Sequence, residues 1–248
     1  MGTVNKTVML TGGASGIARL AGECYAKEGY NVVFVDINEK GLAEVKDGLA
    51  ECGDRVLTVR ADVTDYADVV AARDVAVATF GSIDILICCA GGAETRMCGA
   101  RGEFWENPID VYDFGIDLNL KGAIYFDHAV MAQMVKQNSG VIIHLGSITG
   151  ADGGIRDIAY SASKSALMNG VTKSIALAGA EHNIRCVCVA PGPVLTREAM
   201  ANMKTLIGRA AEVQEIVDLI MYVASDKGSF INGTYILADG GRHVMFNK

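Results

Sequence analysis

The chain has 248 residues, half of them hydrophobic, and its 29 acidic against 22 basic side chains give a formal charge of −7. With a mean hydropathy of +0.27, this composition excludes intrinsic disorder and fibrous architectures. The negative charge, with no Lys/Arg run, also argues against nucleic acid or an anionic membrane as a partner.

Glycine is frequent (29 residues) and proline scarce (3), so glycine here marks close backbone approaches and not linkers. The apolar run after Lys6 is too brief for a signal peptide, and Lys6 stands where a myristoylation signal has Ser or Thr. No stretch reaches about 18 uninterrupted apolar residues, and a cytoplasmic protein is expected. Seven cysteines form no Cys-x-x-Cys pair and read as small hydrophobes in a reducing compartment. His128, His144, His182 and His243 share no ligand spacing, so no metal is expected.

Short apolar β-rich runs at 7–11, 31–36, 56–61, 83–89, 140–145, 184–190 and 234–238 alternate with helical segments. Helical spacing shows in Ile17, Leu20, Ala21 and Cys24, and in Val69, Ala72, Val75 and Ala76. Strands apolar on both faces and separated by helices imply a parallel sheet covered on both sides. Without linkers or repeats, residues 1–248 read as one doubly wound α/β domain of about seven strands, a Rossmann fold.

The first run leads into Thr11-Gly12-Gly13-Ala14-Ser15-Gly16-Ile17 at the start of a helix. Such a loop lets backbone N–H groups and the helix N-terminus approach a pyrophosphate, so Gly12, Ser15, Gly16 and Ile17 are candidate dinucleotide contacts. Asp36 ends the second run, followed by Ile37. Its carboxylate is placed to accept the adenosine ribose hydroxyls and to repel a 2′-phosphate, which predicts NAD over NADP. Asp62-Val63 follows the third run and Cys88-Cys89-Ala90-Gly91-Gly92 ends the fourth, both at carboxyl ends of strands, where open α/β sheets bind ligands.

Tyr160 and Lys164 lie four apart, one turn along a helix face. Bringing a phenol into use near neutrality takes about 4 kcal/mol, and one ammonium about 4 Å away supplies roughly that. Such pairs are also common on plain helix surfaces; Ser147, just past the fifth run, favours chemistry, because its hydroxyl can bond the substrate oxygen that Tyr160 protonates or deprotonates. Asn119 is expected either to hold a water linking Lys164 to solvent or to make an ordinary polar contact in its helix.

Taken in order, Thr11-Gly12-(x3)-Gly16, Asp62-Val63, Cys88-Cys89-Ala90-Gly91, Asn119, Ser147, Tyr160-(x3)-Lys164, Pro191-Gly192 and Asp239-Gly240-Gly241 resemble the short-chain dehydrogenase/reductase family from about Lys6 to Gly241. The resemblance implies Tyr160 as general acid/base with Ser147 as its substrate-side partner. It places Lys164 against the nicotinamide ribose, easing loss of the Tyr160 proton, and lets Asn119 complete a proton relay. Cys89, Ala90 and Gly91 would line the cofactor, and Pro191, Gly192, Val194 and Thr196 would lie beside the nicotinamide. It also implies a homotetramer, in which the small residues Ala162, Ser163, Ala166 and Gly170 would permit close approach of helices across an interface; the same residues equally suit packing within the subunit. Three departures stand out: Ala18 for the last glycine of the loop, Cys88-Cys89 for two asparagines that brace the sheet, and Val187 for a strand asparagine.

Substrate choice rests on loops 92–110 and 192–211. Glu94, Arg96, Arg101, Glu103 and Trp105, with Asp152, Arg156 and Asp157, predict a charged rim, and the segment 194–211 reads as a short lid. Together they favour hydride transfer between NAD(H) and a small polar secondary alcohol such as a sugar, polyol or sugar acid. The alternatives are a reductase of 3-oxoacyl or other lipid-like carbonyls, including steroids, and a non-catalytic NAD-binding sensor or scaffold.

Overall fold

The computed structural model describes residues 6–245. Seven strands, β1 (Thr7–Thr11), β2 (Asn31–Asp36), β3 (Val56–Arg60), β4 (Ile85–Cys88), β5 (Gly140–Leu145), β6 (Ile184–Pro191) and β7 (Thr234–Ala238), form a sheet in the order β3-β2-β1-β4-β5-β6-β7. Every neighbouring pair is parallel. All seven runs seen in the sequence are strands, with ends shifted by one or two residues. The fourth is shortened for a physical reason: both backbone groups of Ile83 pair with the Gln137 side chain instead of a strand.

The helices are α1 (Gly16–Lys27), α2 (Glu39–Gly48), α3 (Tyr66–Phe80), α4 (Glu94–Met97), α5 (Ile109–Ile116), α6 (Gly122–Gln137), α7 (Thr149–Asp152), α8 (Ile158–Ala166), α9 (Thr172–Gly179) and α10 (Val213–Ala224). A π-helical stretch joins α5 to α6 (Asp117–Lys121) and another joins α8 to α9 (Leu167–Val171). Side chains alternate across the sheet: Leu10, Phe34, Ile87 and Val187 pack with α1 and α10, whereas Met9, Val33, Leu86 and Ile142 pack with α3 and α6. Each such side chain contributes about 1.5–3 kcal/mol on burial. Val75, read from the sequence as part of the apolar stripe of α3, is exposed; Val69, Ala72 and Ala76 alone make the buried face, because residue 75 falls about 100° from residue 76 around the helix.

Strand order reverses between β1 and β4, so the helices that follow these strands leave on opposite faces and a crevice opens at the strands' carboxyl ends. The close helix–sheet contact beside it is made at Gly22, not at residue 18. A Cβ on Gly22 would stand 2.2 Å from Cε1 of the fully buried Phe34, while Ala18 is accommodated at 2% exposure. Gly22→Ala is therefore expected to destabilise the protein by about 1–3 kcal/mol, read as a lower urea midpoint with an unchanged slope.

Candidate active site

The crevice is a cleft of about 890 Å³. Its wall includes Gly12, Ser15, Gly16 and Ile17 from the β1–α1 turn, Asp36 and Ile37 after β2, and Asp62 and Val63 after β3. Cys89, Ala90 and Gly91 follow from the end of β4, then Ser147, Tyr160, Pro191, Gly192, Val194 and Thr196. Asn119 and Lys164 stand behind this wall at 1% and 3% exposure.

The floor of the cleft is fixed by Thr11. Its buried hydroxyl oxygen accepts the backbone N–H groups of Cys89 and Ala90, both at 3.1 Å. Gly12 at φ +71° allows the approach, since a Cβ there would stand 3.0 Å from Ala90 Cα. Asp36 is held by two backbone amides, with Oδ2 accepting from Ala14 (3.0 Å) and Oδ1 from Asn38 (2.9 Å). The only base in register beside it on the next strand, Arg60, is paired to Asp68 at 3.3 Å. Of the first three helices, α1 alone starts open: Asn38 and Asp65 cap α2 and α3, but the Ser15 side chain makes no capping bond and the first turn of α1 holds no acid. Its N–H groups are free for an anion.

At the other end of the cleft, the Lys164 ammonium donates to the carbonyl of Leu145 (2.6 Å) and lies 5.5 Å from the centre of the Tyr160 ring. The Ser147 oxygen accepts the Thr149 N–H at 3.1 Å, which leaves the hydroxyl hydrogen for another partner. Asn119 makes the polar contact expected of it, with partners outside its own π-helical stretch as well as in α5. Its Nδ2 donates to the carbonyls of Gly92 (3.0 Å) and Gly115 (2.9 Å), and its Oδ1 accepts from Gly92 N–H (2.8 Å). Both amide hydrogens are engaged, and the side chain braces Gly92 from the π-helical stretch.

The charged rim also needs correction. Glu94 is fully buried, and its carboxylate accepts the N–H groups of Ala159 (2.8 Å) and Tyr160 (3.0 Å), capping α8 from another part of the chain. Arg156 is paired with Glu103 at 3.0 Å, outside the cleft, and Trp105 is 79% exposed. Arg96 and Asp157 do reach the cleft wall, joined by Arg197, Met97, Phe114, Ile148, Met200 and Met203. Arg197 and the methionines carry no motif, so nothing in the sequence singles them out. The segment 194–211 is closed at its base by a parallel bridge between Val194 and Ala211.

The family model described as short chain dehydrogenase matches residues 6–206. This chain belongs to the short-chain dehydrogenase/reductase family. It is 35% identical to cis-4-hydroxycyclohexanecarboxylate dehydrogenase of Sinomonas cyclohexanicum, over 95% of this chain and 96% of that one. It is 34% identical to 3beta-hydroxysteroid dehydrogenase 2 of Eggerthella lenta, over 95% and 94%. A short-chain type dehydrogenase/reductase from Mycobacterium marinum superimposes with a TM-score of 0.89 at 29% identity, covering 98% of this chain and 97% of that one.

This short-chain dehydrogenase/reductase replaces the bracing asparagines with a different buried network. His144 Nε2 pairs with the Asp127 carboxylate (3.0 Å) and Nδ1 with the Thr172 hydroxyl (2.8 Å), with Cys88 Sγ 3.9 Å from Asp127. Cys88, Asp127 and His144 thus meet although no sequence spacing joins them. Both imidazole nitrogens already hold protein partners, which leaves neither free for a metal. Val187 lies fully buried in the core on the α10 side. The described cysteines are all free thiols, and burial pushes Cys89 up to about 12 and Cys188 up to about 11, so neither is a thiolate at neutral pH.

Burial disfavours the His144 imidazolium, but the Asp127 carboxylate and Cys186 more than offset this and hold its pKa well above the ordinary 6.5. A raised histidine stabilises the fold fully below the unfolded value and loses that contribution as pH climbs through the folded one. His144→Asn is expected to lose about 3 kcal/mol at pH 6. Its deficit against wild type should narrow as pH rises above 6.5, measured by urea unfolding across pH.

Proposed function

We propose that this oxidoreductase transfers a hydride between NAD(H) and the hydroxyl-bearing carbon of a small polar secondary alcohol, with Tyr160 as the proton-transferring group. The observation that carries the reading is one continuous cleft with the braced Asp36 carboxylate at one end, the uncapped start of α1 in between, and Tyr160 with Ser147 at the other. Its volume is at the upper end for ligand pockets, and its donor set suits a dinucleotide. The Ser15, Gly16 and Ile17 backbone meets the pyrophosphate, and Asp36 and Ile37 meet the adenosine ribose. Asp62 and Val63, after the outermost strand β3, lie at the adenine end, Cys89, Ala90 and Gly91 line the middle, and Pro191, Gly192, Val194 and Thr196 lie at the nicotinamide end. Asp36, with Arg60 engaged elsewhere, favours NAD over NADP.

When bound, the nicotinamide supplies the two-electron hydride acceptor. The Ser147 hydroxyl donates to the substrate oxygen and orients it. The Tyr160 oxygen takes the hydroxyl proton as the C–H bond gives up its hydride, and returns it in the reverse direction. The Lys164 ammonium, fixed by the Leu145 carbonyl, stabilises the phenolate by its charge. Asn119 acts one step back, holding Gly91–Gly92 in place.

The methionine-lined wall favours a second reading, a bulkier apolar alcohol or ketone such as a steroid. The free thiols fit a cytoplasmic setting. The homotetramer is proposed through the exposed Ala162 and Gly170, whereas Ser163 is fully buried in its own subunit and takes no part; size measurement in solution tests it.

With NAD and a panel of sugar acids, polyols, hydroxy acids, hydroxysteroids and 3-hydroxyacyl thioesters, turnover is expected for the polar classes. Tyr160→Phe is expected to lower kcat by about 10²-fold or more while NADH affinity is kept. Turnover restricted to steroids or thioesters would give the second reading instead, and full activity in Tyr160→Phe would remove the proposed role.

A further inference from the structure

We propose that α4 is a built recognition element for a substrate carboxylate, with the Arg96 guanidinium as its anion-binding group. This rests on the dehydrogenase reading and names the substrate class of the same site: a hydroxy acid whose carboxylate lies at a fixed distance from the carbon that reacts at Tyr160.

Three observations converge. First, α4 is anchored to the start of the helix that carries Tyr160. Glu94, with no exposed surface, accepts the N–H groups of Ala159 and Tyr160, and the Thr95 hydroxyl donates to the Asp157 carboxylate. Gly115 completes the fit, since a Cβ there would stand 2.7 Å from Ala159 Cβ and 2.9 Å from Glu94 Cβ. A buried carboxylate without a cation partner is costly, and here it fixes the spacing between α4 and Tyr160.

Second, the next side chains of the segment, Arg96 and Met97, line the cleft. A Cβ on Gly92 would stand 2.6 Å from Arg96 Nη2, so the guanidinium lies over Gly92. Gly91 is the adjacent residue, and a Cβ there would stand 3.7 Å from Lys164 Nζ. The guanidinium therefore lies over the loop after β4, one residue from the glycine beside Lys164.

Third, Arg96 and its fellow cleft residue Arg197 have no carboxylate within ion-pairing distance among the described residues, whereas Arg19, Arg60, Arg73, Arg156 and Arg209 each have one, and of the two only Arg96 sits on a segment anchored to the Tyr160 helix. A planar fork of donors left open in a cleft matches a carboxylate in two-point contact. Met97, Phe114, Ile148 and Met200, which also line the cleft, suit an apolar carbon skeleton between the two polar ends of such a substrate. Oxidation removes a hydride from the hydroxyl-bearing carbon and a proton from its oxygen, leaving an oxo acid with the carboxylate unchanged.

The test is titration calorimetry on protein saturated with NADH, using cyclohexanecarboxylate and cyclohexanecarboxamide, which share a ring and differ in charge. The carboxylate is expected to bind at least about tenfold more tightly. Arg96→Gln is expected to abolish that preference with NADH affinity unchanged, and Arg96→Lys to keep part of it. Equal affinities, binding of neither compound, or a preference that survives Arg96→Gln would overturn the proposal. So would a loss of NADH affinity in Arg96→Gln, which would assign the arginine to the cofactor. Failure of wild type to bind NADH would instead defeat the dehydrogenase reading on which the proposal rests.

Discussion

The contact between Thr11 and the end of β4 is the one on which the cleft depends. β1 and β4 are neighbours in the sheet, but the segments that leave them go to opposite faces, so their last hydrogen-bonding groups would part. One buried hydroxyl oxygen takes the N–H groups of both Cys89 and Ala90, and so holds the two chain ends together where the strand order reverses. A lost backbone partner at such a place costs about 1–3 kcal/mol. Gly12 must lack a side chain because Ala90 lies against it. The crevice is then the space between two diverging segments pinned at their root.

The reacting end is built by the same device, backbone groups gripped by buried polar side chains. Leu145 O holds Lys164, Asn119 clamps Gly92, and Glu94 takes the free amides at the start of α8. Each contact joins two segments distant in the sequence near the carboxyl edge of the sheet. The geometry of Tyr160 is therefore set by the sheet, by the π-helical stretch and by α4 together. Rigid support of this kind is what orientation of reacting groups requires.

The strands were legible in the sequence because a parallel sheet buried on both faces needs continuous apolar runs, and the site motifs because glycine, Asp36, Ser147 and the Tyr160–Lys164 pair sit at strand ends or on one helix face. What the sequence hid was direction. Glu94 and Arg96 are two residues apart in a charged loop, yet one is buried under α8 and the other faces the cleft, and composition alone treats them alike. Asn119 was legible as a site residue but not in its bonding, because its partners come from residues 92 and 115 and from a helix widened by a π turn. The Cys88–Asp127–His144 group was invisible for a related reason: its members come from β4, α6 and β5, and only the register of the sheet brings them together.

The central claim is that the cleft holds a nicotinamide dinucleotide with its adenosine ribose on Asp36. Fluorescence titration of the wild-type protein with NADH and with NADPH tests it most directly. The account predicts that NADH binds, and at least about tenfold more tightly than NADPH, because the carboxylate accepts the free 2′-hydroxyl and repels the 2′-phosphate. Equal or tighter binding of NADPH, or binding of neither, would contradict it.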